Sequence, residues 1–243
     1  MPPIFLIVFL PLAAAMVGGL GNKALGALPV KLMTTGALFA ACALSWPIFC
    51  SYLAGQPGAS VTPVAEWVHS GRLQFSWELR VDALTAVMLV VVTTVSALVH
   101  LYSWGYMDED PDQPRFFAYL SLFSFAMLML VTADNLVQMF FGWEGVGLAS
   151  YLLIGFWYYK PEANAAAIKA FVVNRVGDFG FALGIFLVFR LTGSISLDAA
   201  RAAAPGLVGQ TIHVFGMNVD ALTVTCMLLF MGAMGKSAQF LLH

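Results

Sequence analysis

Seven stretches of roughly twenty apolar residues follow one another along the chain, each long enough to cross a hydrocarbon layer as a helix, and they constrain its fold more than any motif does. They cover residues 4–20, 32–53, 82–105, 116–133, 136–158, 165–190 and 220–242. Hydrophobic residues make up 60% of the 243 and charged residues 10%, and the mean hydropathy is +0.86. A soluble domain has about a quarter charged residues. The expected fold class is an all-α integral membrane protein: a polytopic transmembrane helix bundle of about seven helices, embedded in a lipid bilayer. A net charge of -2 gives no sign of a nucleic-acid partner.

The first span has no Arg or Lys before it and no clean cleavage pattern after it, so it is expected to be retained as a helix. Residues 54–80 form a polar stretch between the second and third spans. Its segment from Arg72 to Arg80 alternates apolar and polar side chains, which predicts a short interfacial strand or hairpin. The chain divides into residues 1–115, holding three spans and the polar loop, and residues 116–243, holding four. The quintet from Val81 to Thr85 recurs from Val219 to Thr223. Asp82 and Asp220 suit the N-terminal capping position, where a carboxylate accepts free backbone N–H groups. Four crossings separate the two, so both starts belong on one side of the membrane.

Loop cations lean weakly toward a cytoplasmic first loop: Lys23, Lys31, Arg115 and Lys160 fall on one side, and Arg72, Arg80 and Arg201 on the other. Trp104, Tyr106, Trp157, Tyr158 and Tyr159 lie at span ends, as an interfacial aromatic belt requires. The acidic turn from Asp108 to Asp112 is expected to be solvated. Cys42, Cys50 and Cys226 have no Cys-x-x-Cys spacing and read as small apolar residues, not as an iron–sulfur or metal site. Gly19-Leu-Gly21 ends a span with no strand before it, so it is no dinucleotide fingerprint.

Glu144 is the one carboxylate in its span, and Asp178 and Lys236 lie inside two others. An unpaired ion in hydrocarbon costs several kcal/mol, so such residues bind, relay or pair. At ~1.5 Å per residue, Glu144 lies about 12 Å inside its span and Asp178 about 18 to 20 Å from either end of its own. Arg175 precedes Asp178 by three positions on one helix face; the two read equally as a self-neutralised bridge and as part of a functional site. Lys236 has no opposite charge at helical spacing. Away from water the proton affinities of amines and carboxylates converge, so a buried Lys and Glu can act as a relay. Straight counting puts Lys236 about 24 Å along the last span, deeper than Glu144, so that span either starts later or is interrupted. Small residues cluster beside each charge: Gly142, Gly145 and Ala149; Gly177 and Gly180; Gly232 and Gly235.

Three runs carry a resemblance: FGWEGVGLASYLLIGFW from Phe141, AFVVNRVGDFG from Ala170, and GAMGKSAQF from Gly232. In this order they resemble the largest antiporter-like membrane subunit of respiratory complex I, NADH:quinone oxidoreductase chain 5 or subunit L, and the resemblance extends across the chain. It implies a membrane subunit of a proton-pumping translocase. Glu144 and Lys236 would be the proton-channel pair, with Asp178 in the neighbouring helix and Arg175 as a charge partner. Flavin, iron–sulfur clusters and quinone would lie in partner subunits, with no cofactor here. Partners would be the other membrane and peripheral subunits, and protons the substrate. The family's last helix here is broken near the lysine, and many members have Pro where this chain has Leu241. The family also continues past the position of His243, so the chain resembles an N-terminal portion. The implied location is the bacterial inner membrane, with the mitochondrial inner membrane as the alternative. Two other readings stay open: the large subunit of a multisubunit cation/proton antiporter, and a passive scaffold.

Overall fold

A computed structural model of the chain describes residues 3–55, 58–71, 73–214, 216–240 and 242. Arg72 and Leu241 lie outside these residues. The elements run α1 (Pro3–Leu20), α2 (Asn22–Leu25), α3 (Ala27–Leu53), β1 (Ser60–Ser70), β2 (Leu73–Val81), α4 (Ala83–Tyr106), α5 (Gln113–Val131), α6 (Leu136–Ile154), α7 (Pro161–Thr192), α8 (Leu197–Ala203), a 3-10 turn (Ala204–Leu207), β3 (Thr211–Val214), β4 (Met217–Asp220) and α9 (Ala221–Lys236). Among the described residues six helices, α1 and α3 to α7, are long and apolar enough to cross a membrane. The seventh apolar helix, α9, stops after 16 residues at Lys236. It is therefore shorter than the expected span over 220–242.

The bundle exposes many large apolar groups on its outer faces and encloses many polar ones beside its apolar core. Leu84 and Phe186 are 68% and 67% exposed on outer faces, while Thr93, His100, Ser121 and Gln138 are fully buried. That is the arrangement hydrocarbon demands: polar side chains must find partners within the protein. His100 shows how. Its Nδ1 lies 2.8 Å from the Ser96 carbonyl, which can only accept, so Nδ1 carries the proton and Nε2 accepts from the Ser121 hydroxyl at 3.1 Å.

α1 packs against α3 and α5, α3 against α4, α5 against α6, and α7 against α6 and α9. One apolar cluster joins Ile4, Ile7 and Val8 of α1 to Leu89, Leu128 and Met129, and a second joins Leu136 to Phe181, Ile185 and Val188. Close approach depends on glycine: a Cβ at Gly142 would fall 2.6 Å from the Leu130 backbone nitrogen on α5, and one at Gly177 would fall 3.2 Å from the Gly235 Cα on α9.

The expected hairpin is present as β1 and β2, paired antiparallel from Ser60 with Val81 to Ser70 with Leu73. A second hairpin, β3 with β4, was not anticipated from sequence. Each hairpin feeds directly into a capped helix. Asp82 accepts from the Thr85 N–H at 2.9 Å and Asp220 from the Thr223 N–H at 2.7 Å, as expected of the repeated quintet. Alternating crossings put both hairpins on one side of the bundle and the loops around residues 21–26, 107–112 and 155–160 on the other.

On the hairpin side Arg80 is the hub. Its guanidinium makes a bidentate pair with Asp198 at 2.8 and 2.9 Å, donates to Asp134 at 3.1 Å and to Asp82 at 3.3 Å. The Asp198 hydrogen bond does most to raise the Arg80 proton affinity, against the opposing effect of burial, and Asp134 and Asp82 add to it. The same bond holds Asp198 below its ordinary value. Burial pushes Asp82 up, but bonds from Thr85 and Arg80 leave it lowered on balance. Next to this hub the fully buried Gln138 stitches β2 to α6, donating to the Glu78 carbonyl at 2.6 Å and accepting from its N–H at 3.1 Å. On the opposite side the acidic turn is partly tied down: Lys31 lies 3.6 Å from Asp108, and the Trp157 indole donates to Asp110 at 2.9 Å.

Candidate functional site

Three helices bring the sequence-predicted charges together. Glu144 comes from α6, Arg175 and Asp178 from α7, and Lys236 from the last residue of α9. Arg175 forms an ion pair with Glu144, and its Nη1 lies 3.7 Å from Asp178. The local Arg175–Asp178 pairing read from the three-residue spacing is therefore the looser of two contacts. Arg175 bridges α6 and α7, because a side chain that long reaches a neighbouring helix as readily as its own next turn. Its guanidinium also lies over the Phe171 ring at 4.6 Å. The Asp178 side chain is 5% exposed and that of Glu144 23%.

Lys236 makes no ion pair within 4 Å among the described residues. Its Nζ lies 5.9 Å from the centre of the Trp143 ring, which in turn stacks on Phe181 at 4.9 Å with an interplanar angle of 7°. Glu144, Arg175 and Asp178 are the charged groups that act on it. Lys236 is the last residue of α9, and Ala238, two residues on, takes a positive φ of 46°, so the helix ends beside the amine instead of running on to residue 242.

A cavity of about 660 Å³ opens against the cluster, lined by Leu130, Trp143, Ser150, Lys169, Asn174 and Lys236 among others. Several buried polar atoms here have no hydrogen-bond partner among the described residues: both Asp178 carboxyl oxygens, Lys236 Nζ, Trp143 Nε1 and Arg175 Nε. Buried polar groups are nearly always satisfied, so their concentration at one place sets this region apart from an ordinary packing core. Sequence reading missed Asn174, Lys169 and Ser150. Ser150 and Asn174 are uncharged, and nothing in their local spacing sets them apart; Lys169 is exposed and close to the start of α7. Among the described residues no group of three or more His, Cys, Asp or Glu side chains is placed to hold a metal ion.

Two family descriptions match the chain: "NADH-Ubiquinone oxidoreductase (complex I), chain 5 N-terminus" over residues 67–117, and "NADH:quinone oxidoreductase/Mrp antiporter, TM" over residues 133–243. NADH-quinone oxidoreductase subunit L of Rhodobacter capsulatus is 56% identical over 98% of this chain and 34% of its own length. NADH-ubiquinone oxidoreductase chain 5 of Arabidopsis thaliana is 49% identical over 98% and 35%. The chain thus spans about a third of the length of the curated relatives it matches. Among solved structures, a chain of the Mrp complex from Dietzia sp. DQ12-45-1b superposes with a TM-score of 0.77 at 24% identity, covering 98% of this chain and 24% of that one. At that identity the likeness speaks for the fold alone.

Proposed function

The chain belongs to the antiporter-like membrane subunits of NADH:quinone oxidoreductase, the chain 5 or subunit L family, and from that premise we propose that it translocates protons through Glu144, Lys236, Asp178 and Arg175. The driving force is electron transfer in other subunits, which carry the flavin, the iron–sulfur clusters and the quinone site. Those subunits, membrane and peripheral, are its partners. It resides as a multi-pass protein in the bacterial inner membrane, or in the mitochondrial inner membrane in a mitochondrial version.

One observation carries the reading: four ionisable groups from three helices meet at membrane depth, beside a cavity, with polar atoms unpaired. Arg175 can turn between two carboxylates, and an amine and a carboxylate in one low-dielectric pocket can exchange protons as their neighbours move. Residues 116–243 are the translocating part, since every one of these groups lies there. Residues 1–115 form its flank. In the assembled complex, Glu144→Gln and Lys236→Ala should each lower proton translocation by about a hundredfold, the scale of a lost acid–base group, with complex abundance unchanged. Normal translocation by both variants would refute the relay.

One family description also names Mrp antiporters, which favours a second reading as the large subunit of a cation/proton antiporter. Copurification separates the two: peripheral NADH-oxidising chains support the first reading, and small antiporter subunits the second.

A further inference from the structure

The glycines of α6 do two different jobs. A Cβ at Gly142 would strike the α5 backbone at 2.6 Å and one at Gly145 would fall 3.1 Å from the Ala126 Cβ, so both serve helix packing. Gly147 is different. Outside its own helix backbone, the three atoms nearest to a Cβ there would be Lys236 Nζ at 2.5 Å, Asn174 Nδ2 at 3.9 Å and Lys236 Cε at 4.0 Å. The space a side chain would fill at this position is taken up by the end of the lysine. Gly147 lies one turn beyond Glu144 on the same helix face, and Asn174 one turn before Asp178 on α7.

We infer that Gly147 and Asn174 form the seat of the Lys236 amine and act as positioning residues of the relay, an inference that rests on the function proposed above. Gly147 leaves the volume that lets the amine lie against α6. Asn174 places near the amine a neutral group that can serve both protonation states once it turns into range: its carbonyl as acceptor from an ammonium, its NH2 as donor to the lone pair of a neutral amine. A carboxylate or a hydrocarbon there would favour one state and hinder the exchange. The charged groups facing the seat are Glu144 from α6 and Arg175 and Asp178 from α7, and Lys169 lines the same cavity.

The test uses the assembled complex. Gly147→Ala, Asn174→Leu and Lys236→Ala are compared by complex abundance and by proton translocation from about pH 6 to pH 9. Because the atom displaced by a new methyl is the end of a flexible side chain, Gly147→Ala should assemble normally. Its translocation should fall by about tenfold to a hundredfold, as ångström misplacement of a reacting group does. Its pH profile should move by about one unit, and that of Asn174→Leu likewise, since both alter what surrounds the amine. A wild-type pH profile in both variants, with translocation lost in Lys236→Ala, overturns the seat and leaves the relay standing. Normal translocation in Lys236→Ala overturns the relay and the seat with it. If Gly147→Ala fails to assemble, adding Lys236→Ala to it should restore assembly by removing the clash. Failure of the double variant overturns the assignment.

Discussion

Arg80 is the residue whose loss should be felt most widely outside the charged cluster. Its side chain is 7% exposed and faces three aspartates, from the cap of α4, the link before α6, and α8. Arg80→Ala strands those carboxylates and is expected to cost roughly 2 to 4 kcal/mol, read as a lower thermal midpoint in detergent. Arg80→Lys should recover little of this, because a single ammonium cannot reproduce the bidentate fork. The pH dependence has a definite sign. Asp198 and Asp82 are held below their ordinary values in the folded state. The stability they lend is therefore complete above the unfolded value of about 4 and lost as pH falls through their lowered values. Amide protection in β2 should fall below about pH 4 in the wild type, and by less in Arg80→Ala, where the Thr85 bonds still hold Asp82 low. Asp82→Ala also removes a cap, worth about 1 kcal/mol by itself. The cap was legible in the repeated quintet; the Arg80 network was not, since the Asp134 and Asp198 partners lie 54 and 118 positions from Arg80.

Among the elements, the helices were legible and the second hairpin was not. Each membrane span is a single run of about twenty apolar residues, a pattern set by bilayer thickness alone, and α1 and α3 to α7 fall within several residues of their expected limits. The four-residue strands β3 and β4 are too short for alternation to stand out. For the charged cluster, Glu144, Asp178, Arg175 and Lys236 could be read as candidates because ions are rare in apolar runs. Their partners could not, because which helix faces which is decided by packing. The seat at Gly147 depends on a contact between α6 and the far end of α9, and single-helix spacing has no access to it. Glycine packing yields its own prediction at this scale. Gly142→Val should force α5 away from α6, costing about 1 to 3 kcal/mol as an overpacked contact, and lower the amount of assembled complex. The same substitution at Gly36, where a Cβ meets nothing within 4 Å, should leave assembly unchanged.

For the whole molecule, the alternating crossings sort every connection onto one of two faces. Cysteines placed at Ser60 and Asn218, in the two hairpins, should be modified by a membrane-impermeant thiol reagent from one side. Cysteines at Lys23 and Lys160 should be modified only from the other. Labelling of all four from the same side would break the topology. Within that frame the charged quartet has a simple property: two carboxylates, one guanidinium and one ammonium sum to zero when all are ionised. A medium of low polarity tolerates such a balanced set and penalises any departure from it. A proton that joins the quartet is therefore stable there only until another charge leaves or an opposing one draws near. On the proposed relay the cluster would work as a turnstile, passing one positive charge for each that enters and storing none.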